Sequence, residues 1–514
     1  MWLSALLYLL VLVLVCVRFY KYCTYKPDNF PPGPIRLPLW GSYLFMLWEN
    51  FNFPQMAVMK WAKKYGSVFG CYLADFPTVF VCDYETCKEV LNRPEFDGKP
   101  DIMNARLRTV GKQNLGIFFI DEKRWHEQRR FSLRHLRDYG FGRRFGTLET
   151  LMAEQLQSVV DFIKYPKYTG LDSDVLRPDG CILLVNLLYP AMMNNIMSVF
   201  GMEPAQPGTA RYRNFRHVGE HVMKLQHGVF SIASLSLAPW FRHLAPDMTG
   251  YKSLMQSNSV LFPFIKSVIE EIRQARMSDD EVRNFFDRYD DQMKANQHDE
   301  HSTFSDDQLL MLTIDYMFPA VTAISSVVIQ MIYLMFYHPH VLERMQKEID
   351  DVVGHGRLPT LDDRQHLPYT EAVIKETLRK ETFVPMGIPH RVLTDTTLRG
   401  YTIPKNTLLY TALIGAHMDT KVWGDPENFR PERFITPAGT LTKKDLSLPF
   451  GAGKRLCAGE TFARNALFLT AAGLFQNFTF QLPAGARLPR MQDKIAGVTN
   501  TQKDMCWLRA VPRD

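Results

Sequence analysis

Phe450-Gly451-Ala452-Gly453-Lys454-Arg455-Leu456-Cys457-Ala458-Gly459 is the most informative stretch of this 514-residue chain. It places a single cysteine in a loop with three glycines. Glycine adopts backbone angles that other residues resist, so the loop can bend tightly against a planar ligand. A helix-forming stretch follows from Glu460. Because the N-terminus of a helix favours negative charge, we expect Cys457 to be a thiolate.

A thiolate in such a loop suits one cofactor in particular. As an axial ligand of haem iron, thiolate pushes electron density toward the metal and favours O–O cleavage. The stretch matches every specified position of Phe-Gly-x-Gly-x-Arg-x-Cys-x-Gly, and the chain therefore resembles the cytochromes P450. This resemblance implies haem b as the cofactor, Cys457 as the iron ligand and Phe450 as a neighbour of the haem. The alternative is a buried structural cysteine after a glycine-rich turn.

Length and composition favour one large domain. A chain with 46% hydrophobic residues can bury a large core, and we find neither an interdomain linker nor an internal repeat. The net charge of +6 is small, and the basic residues do not form one long run, so we expect no nucleic-acid partner. None of the eight cysteines has paired C-x-x-C spacing, which argues against zinc and against a disulfide scaffold.

The chain begins with an apolar run that predicts a membrane anchor. Residues 2–17 are almost entirely apolar, and aromatic residues extend the run into the membrane interface. The first basic residue, Arg18, comes after the run, whereas a cleaved signal peptide has a basic start and a small-x-small cleavage site. We therefore predict a signal anchor over residues 1–22 in the endoplasmic reticulum membrane, with the bulk of the chain facing the cytosol.

Pro31-Pro32-Gly33-Pro34 follows the predicted anchor. Prolines fix the backbone and remove hydrogen-bond donors, so this segment is predicted to be a stiff spacer. We assign residues 23–36 to a hinge that holds the domain of residues 37–514 at a set angle to the membrane.

Secondary structure is predicted to be mostly helical. β-Branched and aromatic residues at 67–73 and 78–82 predict a hairpin, and helical patterns dominate from Glu122 onward. Shorter strand-like pieces recur at 397–403 and 408–411. The family resemblance implies the same architecture, a mainly α fold with small β-sheets, over about residues 30–512.

Two further segments have open interpretations. Residues 278–307 are densely charged and are predicted to form a solvated connection. Residues 229–241 are apolar but too short to span a bilayer. They predict either a core helix or, by the family resemblance, a segment that dips into lipid beside the substrate entrance.

Trp125 and Arg129 are four residues apart, which puts both side chains on one face of a helix. Alone, this spacing fits an exposed basic helix. Beside a haem, an indole N–H and a guanidinium can both reach a propionate, and arginine suits bidentate carboxylate recognition. The resemblance therefore implies propionate contacts from this pair, with Arg455 and His390 as candidates on the other side.

Glu376 and Arg379 are three residues apart, which on its own indicates a common surface pair on a helix. The family resemblance implies instead a buried triad that a later arginine completes, and Arg433 stands in that place. A buried carboxylate shared by two guanidiniums must be fully hydrogen-bonded. We expect this triad to support the haem-binding core and to play no catalytic part.

The central helix departs from the family pattern, which carries Ala-Gly-x-Glu/Asp-Thr. Counting puts Ala323 at the usual threonine and Thr322 at the usual acid, while another register puts Ile324 at the threonine. Neither register places an acid directly before a threonine. Pro319 removes a backbone donor and forces a kink. It could open the oxygen groove by another route, with Thr322, Ser325 or water supplying hydroxyls.

The family's substrate loops supply the pocket candidates, which are nearly all apolar and suit a lipophilic small molecule. They are Phe118, Phe119, Val384, Met386, Ile388 and Val498. A basic set is expected on the cysteine side of the haem, where it would attract an acidic reductase. Its members are Arg124, Arg129, Arg130, Arg134, Arg137 and Lys454.

The first functional hypothesis is a membrane-anchored monooxygenase resembling microsomal animal enzymes, insect ones included. It would insert one oxygen atom of O₂ into a steroid, terpenoid, fatty acid or xenobiotic. Electrons would come from NADPH through cytochrome P450 reductase, with cytochrome b5 as a second candidate partner. Because the acid–threonine pair is missing, an isomerase, lyase or dehydratase that acts on peroxides without reductase is the alternative. A non-catalytic haem and ligand-binding protein is the third hypothesis.

Overall fold

The computed structural model describes residues 2–50, 53–166, 174–224, 235–276, 283–488, 494–496, 500–502 and 507–513. Helices account for most of these residues, and the strands form small sheets. The predicted class, mainly α with small β-sheets, is confirmed.

The helices follow one another along the whole chain. They are α1 (Trp2–Thr24), α2 (Tyr43–Glu49), α3 (Pro54–Tyr65), α4 (Tyr84–Asn92), α5 (Met103–Leu107), α6 (Glu122–Leu136), α7 (Gly146–Lys164), α8 (Leu184–Val199) and α9 (Ala210–Lys224). They continue with α10 (Tyr251–Gln274), α11 (Phe285–Ala295), α12 (Asp306–Tyr337), α13 (Pro339–Val352), α14 (Pro368–Glu381), α15 (Leu413–His417), α16 (Thr420–Trp423) and α17 (Glu460–Asn477).

The strands are short. They are β1 (Val68–Leu73), β2 (Phe76–Val81), β3 (His390–Arg391), β4 (Thr396–Leu398), β5 (Tyr401–Ile403), β6 (Leu408–Thr411), β7 (Phe478–Gln481), β8 (Lys494–Ala496), β9 (Asn500–Gln502) and β10 (Arg509–Pro512).

The largest sheet joins distant parts of the sequence. Strands β1 and β2 form the predicted hairpin, in register from Val68 opposite Val81 to Leu73 opposite Phe76. Strand β2 then pairs in parallel with β6, which pairs with β3. The resulting order β1-β2-β6-β3 brings His390 to the sheet edge. The other predicted strand piece forms the β4–β5 hairpin.

Helix α12 is the centre of the core. Its 32 residues are mostly apolar and mostly buried, and it packs against α8, α10, α14 and α17. A helix that is hydrophobic all round is buried in the core of a large protein or in a membrane. Most of α12 is buried within the protein, so its length and apolarity reflect a core helix.

One prediction is wrong in part. Within the charged segment 278–307, the structure forms helix α11, and Phe285, Phe286 and Tyr289 on it are fully buried. The Asn284 side chain caps the helix by accepting a hydrogen bond from the N–H of Asp287. Apart from the buried Asp287, the charged residues of the helix are exposed or partly buried, so high charge density concealed an amphipathic helix.

Helix α1 carries exposed apolar side chains and is long enough to cross a membrane. The proline-rich segment that follows contacts the rest of the chain. The Arg36 guanidinium lies between the rings of Tyr22 and Tyr72, 3.8 and 4.3 Å from their centroids. Lys26 donates to the carbonyls of Gly33 and Gly70 at 3.1 and 3.2 Å. The segment 23–36 therefore lies against strand β1.

The apolar segment 229–241 is only partly within the described residues, which resume at 235. Leu235 and Ala238 are buried there, whereas Trp240 is about half exposed. The choice between a core helix and a lipid contact for residues 229–234 stays a prediction.

Candidate functional site

The loop before Cys457 closes through backbone hydrogen bonds. The N–H of Cys457 donates to the carbonyl of Phe450 at 2.9 Å, and that of Gly451 donates to Leu448 O at 3.0 Å. Residues Gly453–Arg455 form a 3₁₀ turn, and helix α17 begins three residues after the cysteine. The cysteine therefore sits at the base of a helix, at the end of a tight loop.

The Cys457 side chain is exposed, yet burial raises the pKa of its thiol. Both observations hold because protein atoms surround the thiol while part of the residue stays open to solvent, so Cys457 lies in a recess. The Gly459 backbone N–H and the Arg129 guanidinium oppose the rise of the thiol pKa. The helix end alone thus does not ionise the thiol. A bound metal cation would favour the thiolate and release the proton.

Arg455 and Trp125 form the best-defined contact of the site. The Arg455 guanidinium carbon lies 3.8 Å from the centre of the indole ring. Its Nε and Nη1 donate to the carbonyls of Asp97 and Ile120 at 3.0 and 3.1 Å. Burial lowers the pKa of Arg455 to about 10, so the guanidinium stays charged at neutral pH.

Arg129 and His390 approach the same region from different elements. Arg129, on α6 with Trp125, donates to Leu456 O at 2.5 Å. His390 Nδ1 lies 2.6 Å from Phe96 O, so Nδ1 carries the proton. Burial lowers the pKa of His390 well below its usual range. A carboxylate beside Nε2 would raise that pKa and let the ring donate to it.

Lys99 is a further cation here that sequence reasoning missed. Its side chain is buried, and Nζ donates to the carbonyls of Ile388 and Pro389 at 3.4 and 3.1 Å. Burial, and then the Arg455 charge, lower the pKa of Lys99 well below its usual range. A lysine between Gly98 and Pro100 carries no local signal of burial, so only the folded chain reveals it.

The charges of this region test whether a haem fits. Within the described residues, Lys99, Arg129 and Arg455 have no carboxylate at ion-pair distance, and all three hydrogen-bond to carbonyl oxygens only. Buried cations require compensating negative charge. The charges of Asp97 and Asp121 oppose the fall in the pKa of Lys99 and of Arg455 without pairing with either cation. The Asp121 carboxylate is engaged by Arg391 at 2.7 Å. Haem carries two propionates and an iron that takes a thiolate, so the residues present fit this group.

The predicted triad is assembled and buried. Arg379 Nε and Nη2 donate to the two oxygens of Glu376 at 2.7 and 2.8 Å, and Arg433 Nε donates at 3.0 Å. The carboxylate also accepts the backbone N–H of Arg430 at 2.9 Å. Arg379 makes its other hydrogen bonds to backbone carbonyls, including His417 O at 2.8 Å.

His417 joins the triad to the Cys457 loop. Its Nε2 accepts the N–H of Leu448 at 2.9 Å, so its Nδ1 carries the proton and donates to Thr382 Oγ1 at 2.8 Å. Thr382 in turn donates to Arg379 O. Burial lowers the pKa of His417 to about 3, which keeps the ring neutral.

The oxygen-side candidates on α12 divide into two groups. The Thr322 hydroxyl donates to Phe318 O and the Ser325 hydroxyl to Val321 O, each at 2.8 Å, and Ile324 is buried. Pro319 and Ala323, one turn apart, are only partly buried. The two partly buried positions of the helix therefore carry no hydroxyl group. The catalytic roles of all these residues stay predictions.

The substrate candidates lie in two loops. Phe118 and Phe119 precede α6 and are partly buried. Val384, Met386 and Ile388 follow α14 and are also partly buried. Val498 lies outside the described residues.

A recessed thiol lies beside the buried Lys99 and the partly buried Arg129 and Arg455, and none of these cations pairs with a carboxylate in the described chain. This is the arrangement expected of a haem-thiolate protein. The Cytochrome P450 family model matches residues 31–508. The chain is 31% identical over 487 residues to the farnesoate epoxidase of Bombyx mori, with 94% of each chain covered. It is 32% identical over 506 residues to cytochrome P450 2B9 of Mus musculus, with 96% of each covered. The chain belongs to the cytochrome P450 family and is a haem-dependent monooxygenase, which confirms the resemblance.

Proposed function

We propose that this protein is a haem b monooxygenase of the endoplasmic reticulum membrane that inserts one oxygen atom of O₂ into a lipophilic small molecule. The observation that carries the proposal is the Cys457 thiol in a recess, with Lys99, Arg129 and Arg455 lacking carboxylate partners in the described chain. Helix α1 supplies the membrane anchor, and its exposed apolar side chains support this assignment.

Bound haem would supply the iron chemistry that activates O₂. Cys457 would hold the haem iron, with Phe450 beside it. Arg455, Arg129 and Lys99 would neutralise the propionates, and Trp125 holds Arg455 in place through the 3.8 Å contact. His390 would add a hydrogen bond once protonated. The buried Glu376–Arg379–Arg433 set would hold the Cys457 loop through His417 and Leu448.

The substrate is proposed to be of a steroid, terpenoid, fatty-acid or xenobiotic type. The pocket candidates are apolar and partly buried, which suits a ligand that leaves water through the hydrophobic effect. The similarity to a farnesoate epoxidase favours a terpenoid as the first class to test.

Electrons are proposed to come from NADPH through cytochrome P450 reductase, with cytochrome b5 as a second candidate. The support is a set of cations on α6, directly after it and on the Cys457 loop, which would steer an acidic partner to the thiolate side. These residues are Arg124, Arg130, Arg134, Arg137 and Lys454.

A reduced carbon monoxide spectrum tests the ligand. The full-length protein should give a strongly red-shifted Soret band, and Cys457→Ser should lose it. Cys16→Ser, at an exposed cysteine of α1, is the matched control and should keep the band.

Turnover tests the reaction. Oxidation of farnesoate should require NADPH, reductase and O₂ together. Consumption of a lipid hydroperoxide without them would instead support the peroxide-rearranging alternative, which the hydroxyl-free positions Pro319 and Ala323 keep open.

A further inference from the structure

Asp315 is a fully buried carboxylate on α12, one turn before Pro319. Its Oδ2 accepts the backbone N–H groups of Ile117 and Phe118 at 2.7 and 3.2 Å. Its Oδ1 accepts both terminal nitrogens of Arg108, with Nη1 at 2.9 Å. One side chain thus joins the central helix to the loop of pocket candidates and to a cation beyond it.

Arg108 lies directly after helix α5 and contacts the aromatic candidates of that loop. Its guanidinium carbon is 5.5 Å from the centre of the Phe118 ring and 5.7 Å from that of Phe119. Both distances are within the range of an attractive cation–π interaction. The side chain of Arg108 is 18% exposed, so this interaction is largely desolvated.

The loop also has attachments that do not involve Arg108. Gln308 on α12 accepts the N–H of Gly116 at 3.0 Å and donates to its carbonyl at 2.9 Å. A Cβ at Gly116 would lie 2.1 Å from Asp315 Oδ2, so the close approach requires glycine. The backbone of the loop would therefore stay in place without Arg108, and only the two rings would lose support.

Stability is a weak explanation for this ion pair. Desolvation of two charges offsets most of their attraction, and apolar residues of similar volume are often as stable. Burial raises the pKa of the Asp315 carboxyl, and Arg108 with the two backbone N–H groups opposes that rise. Arg108 Nε is buried without a hydrogen-bond partner in the described residues, which adds to the desolvation cost. A role in positioning accounts better for the arrangement.

We propose that Arg108 is a specificity-determining positioning residue: fixed by Asp315, its guanidinium sets where the Phe118 and Phe119 rings stand in the substrate pocket. This inference rests on the proposed function, because it takes Phe118 and Phe119 as pocket residues. The ligands affected would be those with an apolar ring large enough to reach this pair. A ligand that occupies only the haem-iron position would be unaffected.

Two azoles of different size test the proposal on full-length, haem-loaded protein. Imidazole reports the iron position, and 4-phenylimidazole adds a ring that fills the pocket. Dissociation constants are measured from the shift of the haem absorption band. In Arg108→Met, the ratio of the 4-phenylimidazole constant to the imidazole constant should rise about tenfold, which corresponds to about 1.4 kcal/mol.

Arg106→Met is the matched control, because Arg106 lies on α5 and pairs with Asp101 at the exposed surface. In Arg106→Met, the ratio of the two dissociation constants should equal that of the unaltered protein. Arg108→Lys should give an intermediate ratio, since an ammonium can pair with Asp315 but has no planar face for the rings. Arg108→Met should add little in an Asp315→Asn background, because the two residues act as one unit.

An unchanged ratio in Arg108→Met with a normal carbon monoxide spectrum would overturn the proposal. If Arg108→Met does not incorporate haem, the ratio is measured in Arg108→Lys instead. An unchanged ratio in Arg108→Lys would likewise overturn the proposal. A missing thiolate spectrum in the unaltered protein would instead overturn the proposed function, so the two failures are distinct.

Discussion

Gly453 lies against the end of helix α4 so closely that a Cβ on it would be 1.9 Å from Leu91 O. Its φ of +66° is also in the left-handed region that favours glycine. The Cys457 loop is therefore positioned by a contact with protein backbone. Leu91 O cannot move away without disturbing α4, which carries the buried side chains of Cys87 and Val90.

Gly453→Ala should prevent normal loading of haem, because either the loop or α4 must shift to admit the methyl group. The fraction of protein with the thiolate carbon monoxide spectrum measures this. Gly439→Ala is the control, since Gly439 has a φ of +78° and an added methyl group would meet no described atom within 4 Å. It should lose only about 1–2 kcal/mol of stability from backbone strain. Equal haem loading in the two variants would contradict the steric argument.

Lys99→Met should speed the loss of haem by about tenfold, because a charged hydrogen bond contributes about 1.5–3 kcal/mol. Transfer of haem to excess apomyoglobin gives the rate. Lys454→Met, which removes an exposed lysine beside Arg455, should leave the rate near that of the unaltered protein. If both variants lose haem equally fast, general charge and not the buried position of Lys99 is responsible.

Glu376→Gln should destabilise the protein by about 3–5 kcal/mol, because it leaves the buried guanidiniums of Arg379 and Arg433 without their carboxylate. The thermal midpoint of the haem-loaded protein measures the change. Lys347→Ala breaks an exposed pair with Asp351 and should leave the thermal midpoint almost unchanged, because solvent screens such pairs. A small effect of Glu376→Gln would show that the triad is dispensable.

His417 predicts a dependence of stability on pH. Its pKa is about 3 in the folded protein and about 6.5 when unfolded, so between these values the unfolded chain binds one more proton. The contribution of His417 to the free energy of unfolding is therefore fully present above about pH 6.5. Below that pH it falls by about 1.4 kcal/mol per pH unit.

Urea unfolding at several pH values measures this slope. Other groups titrate in the same range, so the comparison with His417→Gln isolates the histidine: glutamine offers an acceptor to Leu448 but does not titrate. In the variant, the free energy of unfolding should fall less steeply with decreasing pH, by about 1.4 kcal/mol per pH unit. Identical slopes in the two proteins would contradict the assignment of a neutral, buried ring.

Patterns that span a few residues predicted much of this protein. The β1–β2 hairpin was foreseen from its β-branched and aromatic residues, and its pairing agrees with the prediction. Helix α11 was missed because its charges outnumber the buried side chains at Phe285, Phe286 and Tyr289. The charged residues there hid the helical spacing of the apolar residues. The helix was therefore missed because of its local sequence and not because of tertiary packing.

The local pattern around Cys457 by itself determined the family and hence the cofactor, because a loop of fixed length at a helix start needs only nearby residues. Tertiary structure alone decided which charged groups meet. Arg108 and Asp315 are 207 positions apart, and Lys99 reaches carbonyls 289 positions away. A charged side chain carries no local mark of its partner, since pairing follows from how helices and loops pack. The sequence likewise does not show how the hydroxyls of α12 are used. Thr322 and Ser325 donate to backbone carbonyls, whereas Pro319 and Ala323 are only partly buried.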